Sequence, residues 1–132
     1  MDTSRQQNWI PAALFVGFVY ALVGRLFALP TDHAHFWRLA AWLVSGLAFA
    51  THITYEHIRL GHRPGVLALH AAIAVALGAF GLAVAGALHS FWATSSIRPL
   101  WLLALVAWPA FTAVPAFLVA FIAGAILTRV VR

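Results

Sequence analysis

The chain has 132 residues, 64% of them hydrophobic and only 8% charged, with a mean hydropathy of +0.93. Soluble domains carry roughly a quarter of their residues as charge, so this chain lacks the polar side chains to cover a water-exposed exterior, and lipid is the solvent that suits it. Its net charge of +5 comes from arginine with no lysine, and it has no cysteine, which excludes Schiff-base chemistry, thiolate metal sites, iron–sulfur clusters and disulfides.

Residues 1–8 form a polar head. The run from Trp9 to about Leu29 is apolar except for Arg25. It is long enough to span at roughly 20 residues per crossing. It exceeds a signal-peptide core and has no A-x-A-type site before Thr31, so it reads as a retained first helix. Gly17, Ala21 and Gly24 give that helix a small-residue edge for close packing. Arg25 can snorkel to the interface. Pro30, Thr31, Asp32 and His33 make a tight connection, with Asp32 expected to cap a second helix over about 35–60. The most apolar part of that helix, Leu39 to Ala50, is too short to span alone, so more polar turns complete it at both ends.

Gly61 and Pro64 read as a helix stop and start. A third helix over about 64–88, rich in alanine and glycine (Gly78, Gly81, Gly86), is expected to be the most enclosed. A polar and aromatic loop from His89 to Arg98 follows. The fourth segment, about 100–127, is uncharged and interrupted by Pro109 and Pro115, which are expected to kink it. These segments predict an all-α integral membrane protein, a single membrane domain over 1–132, built as a four-helix transmembrane bundle with up-down topology and short loops. Four crossings put Arg5, Arg59, Arg63, Arg129 and Arg132 on one side and Arg25, Arg38 and Arg98 on the other, which favours both termini in the cytoplasm of a bacterial-type inner membrane. The arginines form no basic stripe, so nucleic acid is not an expected partner. The bilayer, further copies of the chain and other membrane subunits are.

Residues 51–70 hold the only glutamate and four of the seven histidines. His52 lies nine residues before Gly61 and His70 nine after it, so in an antiparallel helix pair the two imidazoles share a depth. That depth is roughly 13 Å from the turn at 1.5 Å per residue. His52, Glu56 and Arg59 share one face of the second helix, with Tyr55 close to it. Three chemistries fit. His52, Glu56 and His70 are a two-histidine, one-carboxylate metal set; His52 and His70 are a bis-imidazole pair for haem b; and the same groups, with Tyr55 and Arg59, can serve as a proton relay. The bland reading stands beside these. Glu56 and Arg59 neutralise one another near the headgroups, His57 and His62 face the aqueous boundary, and His52 and His70 hydrogen-bond neighbouring helices.

His35 and His89 form a second pair at matched depth. From His35 to His52 is 17 residues, about 260° of helical turn, so the two point in different directions and a dihaem arrangement is disfavoured. Trp9, Trp37, Trp92 and Trp101 suit interfacial anchoring, whereas Trp108 and the phenylalanines of the fourth segment suit packing. No nucleophile–base pair, phosphate loop or carboxylate pair occurs, which leans away from an enzyme. Two expectations result. One is a non-catalytic accessory or assembly component of a membrane complex. The other is a haem- or metal-binding protein, or a proton or small-solute transporter, using His52, Glu56 and His70.

Overall fold

The computed structural model describes residues 9–29, 32–96 and 98–130, and these form four helices and no strand. They are α1 (Trp9–Leu26), α2 (Ala34–Ile58), α3 (Pro64–Thr94) and α4 (Pro99–Val130). Three of them, α1, α3 and α4, are long and apolar enough to cross a membrane. Helix α2 falls outside that group because Arg38, His52, Glu56 and His57 punctuate it. Its two threonines near the C-terminal end, Thr51 and Thr54, return their hydroxyls to Leu47 and Ala50 carbonyls at 2.8 Å, so they meet their own hydrogen-bonding need within the helix.

Helix α3 is the organising element and holds most of the buried residues. Along one flank it runs parallel to α1, with backbones nearly touching. A Cβ added at Gly17 would lie 2.9 Å from Leu77 Cβ, and one added at Gly78 would lie 3.0 Å from the Gly17 carbonyl oxygen. Gly24 lies under Leu82 and Gly81 beside Ala21, so the small-residue edge expected on the first helix is the edge that meets α3. Along its other flank α3 runs antiparallel to α4. There the Trp101 ring occupies the space left by Gly86, and Gly124 receives Pro64 and Leu67. Trp101 thus packs against α3 at Gly86.

Helix α2 is held mainly at its ends. Trp37 meets Phe27 edge-on near the first turn. At the other end Ile53 joins Leu67, Ala68, Ala71 and Ala120 in the core, with Phe49 packed against them. Leu67 is 0% exposed there. Leu67→Ala should lower stability by about 2 kcal/mol, the low end for a buried leucine. Lipid supplies no hydrophobic drive, so only packing is lost. An SDS-unfolding titration would measure it.

Several boundaries differ from expectation. Asp32 does not cap α2: the N-cap is His33, in the left-handed region with φ 57 and no side-chain cap bond, which leaves Asp32 one residue too early to reach the first-turn amides. Pro30 and Thr31 lie outside the described residues. Helix α3 continues to Thr94 and absorbs most of the expected loop. No glycine or proline stops it between His89 and Thr94, and it ends only where Ser95 turns left-handed at φ 56. Thr94 donates its hydroxyl to the Ser90 carbonyl at 2.8 Å across that last turn. Helix α4 runs as one helix through Pro109 and Pro115, from Pro99 in its first turn to Val130.

Candidate metal centre

The second turn of the chain builds the site. Helix α2 ends at Ile58, and Gly61, at φ +64, reverses the backbone so that the His62 amide donates to the Glu56 carbonyl at 3.4 Å. A left-handed residue of this kind is what glycine supplies without a Cβ clash. The reversal points His62 back over the end of α2 instead of outward. Pro64 then starts α3, and His70 follows on its buried face.

Three side chains converge as a result. Glu56 is 0% exposed, and its Oε2 atom accepts from Nδ1 of both His62 and His70, the latter at 3.0 Å. The ligand atoms of Glu56, His62 and His70 all lie within 4.8 Å of one another. On the other side of the carboxylate, Oε1 faces His52 Nε2 at 4.0 Å. Both of those atoms are buried and without a hydrogen-bond partner. At that separation they do not bond directly, so each is a buried polar atom left unmet. His70 is fixed from behind by Trp9, whose ring stacks on the imidazole with centroids 3.9 Å apart and planes 5° from parallel. His62 meets His70 edge-on at 5.0 Å.

The hairpin register therefore brings His52, Glu56 and His70 together as the spacing predicts. Two participants escape sequence reasoning. His62, expected at the aqueous boundary, is half-buried and bonded to Glu56 because of the turn at Gly61. Trp9, expected as an interfacial anchor, braces His70. The expected pairing of Glu56 with Arg59 does not form: Arg59 is exposed, and the ionic partners of Glu56 are histidines. Tyr55 is also exposed and stands off the cluster. His57 is half-buried with an unpartnered Nδ1. His35 and His89 are exposed at the opposite end.

The donor set fits a first-row transition metal. Imidazole nitrogen and carboxylate oxygen bind such ions at about 2.0 to 2.2 Å, which requires ligand atoms roughly 3 to 3.5 Å apart. The ligand atoms of Glu56, His62 and His70, all within 4.8 Å of one another, are grouped closely enough to offer such a set. Comparison with known protein families, with characterised proteins and with solved structures finds no match for this chain.

Proposed function

We propose that this chain is a four-crossing membrane protein, with both termini cytoplasmic, that binds a divalent transition-metal ion through Glu56, His62 and His70, with His52 as the fourth donor. The carrying observation is the fully buried carboxylate with imidazoles on both of its oxygens, one side bonded and the other side 4.0 Å apart and unmet. An ion drawn between them satisfies both orphaned atoms at once, and the carboxylate at the centre suits an ion better than a porphyrin. A purely accessory bundle has no need of four such groups at one buried point, where ionisable residues are costly.

The site lies at the end of the bundle that carries Arg59, Arg63 and Arg129, the end that the arginine count favours as cytoplasmic. Binding replaces the two Nδ1 protons that now bridge to Glu56, so affinity falls as pH falls. Titration of the purified protein with Co²⁺ tests the reading. Wild type should bind one equivalent, with visible absorption bands of nitrogen and oxygen coordination. The His62→Ala, His70→Ala double variant should lose at least 100-fold in affinity, beyond the 10- to 100-fold typical of removing a supporting residue. Equal binding by the two proteins would reject the site.

One feature favours a second reading. His52 is deeply buried and His62 is half-buried, with Glu56 between them, so the same groups form a proton path from the interior toward the boundary. Proton flux into liposomes that is lost in Glu56→Gln would support it.

A further inference from the structure

The four donors of the centre are not equally enclosed. The side chain of Glu56 is 0% exposed and that of His52 1%, against 8% for His70 and 15% for His62. Openness increases toward the turn, so the way to water leads past His62. That histidine is also the one donor of the four not carried on a helix. His52 and Glu56 stand on α2 and His70 on α3, whereas His62 rides on residues 59–63, between Ile58 and Pro64. Its amide reaches the Glu56 carbonyl at 3.4 Å, longer than the roughly 3.2 Å limit of ordinary backbone bonds. Beside it Gly61 holds a positive φ of 64. A segment held by so little opens locally at lower cost than a packed helix.

The opposite direction offers an ion nothing. Trp9 covers one face of His70. Ile53 on α2 and Ala71 and Ala74 on α3 are buried one turn farther into the bundle, and from Ala71 to Leu88 α3 carries no polar side chain. Farther along, α2 stands away from the other helices and leaves a pocket of about 560 Å³ to which all four contribute. Phe49, Val75, Trp108 and Phe111 line it, and Trp42, 80% exposed, leaves it open sideways to lipid. Its lining residues include no carboxylate and no imidazole. A divalent ion moving that way would exchange four ligands for hydrocarbon, where an uncompensated charge is costly.

We infer that the metal centre is a blind site: the ion enters and leaves only at the face carrying residues 59–63, with His62 the donor that detaches first. The chain therefore holds and exchanges a divalent ion at one face and does not pass it across the bilayer. This rests on the metal-binding function proposed above and adds to it the direction of exchange and the order in which the donors let go.

The test follows Co²⁺ leaving the full-length protein. In sealed liposomes, protein loaded with one equivalent of Co²⁺ is exposed to external EDTA, which does not cross the bilayer. The share of chains with the turn outward is read from labelling of Arg129→Cys by an impermeant maleimide; the chain has no other thiol, and Arg129 is exposed at the same end as the site. In preparations of differing orientation, the loss of the Co²⁺ bands should track that share, and the remainder should be lost only on adding detergent. In detergent, Gly61→Ala keeps every donor but strains the left-handed turn. That strain is relieved when the turn opens, so Co²⁺ release to EDTA should quicken about tenfold. Gly65→Ala, where a Cβ meets nothing within 4 Å, should release at the wild-type rate and serves as the folded control. Complete loss to external EDTA without detergent would overturn the blind site, as would loss that tracks the inward share. A Gly61→Ala rate equal to wild type would overturn release through His62. In each of these cases Co²⁺ has bound first, so the metal centre stands; a wild type that takes up no Co²⁺ would refute the centre and this inference together.

Discussion

Glu56→Ala should lower the stability of the metal-free protein by about 3 kcal/mol and abolish Co²⁺ binding together. The carboxylate is the common acceptor for His62 and His70 and the neighbour of His52, so its removal leaves two buried imidazoles and the half-buried His62 without it. Breaking a buried, charge-assisted cluster by deleting one member costs about 3 to 5 kcal/mol, and some relaxation toward lipid and the half-buried side of His62 argues for the lower end. The effect has a location: Glu56 ties the end of α2 to the start of α3, so the variant should show faster amide exchange over 49–58 than over α1 or α4. Glu56→Gln separates the two roles. Its amide oxygen can still accept an imidazole N–H, so it should recover roughly half the stability while remaining unable to hold the ion. An alanine variant as stable as wild type would mean that Glu56 does not anchor α2. A glutamine variant that binds Co²⁺ as tightly as wild type would mean that the carboxylate is not a ligand.

The parts of this site that were legible in the sequence are those fixed by helical period and hairpin symmetry. His52 and Glu56 share a helix face because they are four residues apart, and His70 joins them because it stands as far beyond Gly61 as His52 stands before it. His62 was not legible, because its direction depends on one backbone angle, the positive φ of Gly61, and not on any periodicity. Trp9 was hidden for another reason. Its stacking on His70 depends on the register between α1 and α3, set by which glycines of the two helices meet. Hydropathy likewise showed α1, α3 and α4 as apolar spans and showed the deficit in α2. It could not show that the deficit is concentrated where α2 is pinned, or that the span before it leaves a pocket open to the side.

Gly78→Leu should be the most damaging single substitution outside the site, at about 3 kcal/mol in SDS unfolding. A Cβ at Gly78 would lie 2.6 Å from Tyr20 Cβ and 3.0 Å from the Gly17 carbonyl oxygen. Neither is the far end of a flexible side chain, so no rotamer change relieves the clash and α1 as a whole must retreat from α3. Overpacking of this kind costs typically 1 to 3 kcal/mol, and the upper end applies where backbone opposes backbone. Gly46→Leu, the same chemical change on α2, should stay within about 0.5 kcal/mol of wild type because it enters open space. The contrast tests what holds the bundle together. In lipid, an apolar side chain gains nothing by leaving the solvent, so cohesion comes from how closely the helices approach. If that is the cohesive term, Gly78→Leu should also loosen the Trp9–His70 stack one face-length away and weaken Co²⁺ binding several-fold, although Gly78 touches none of the ligands. A stable Gly78→Leu protein with unchanged Co²⁺ affinity would show that α1 is held elsewhere and that Trp9 does not brace the centre.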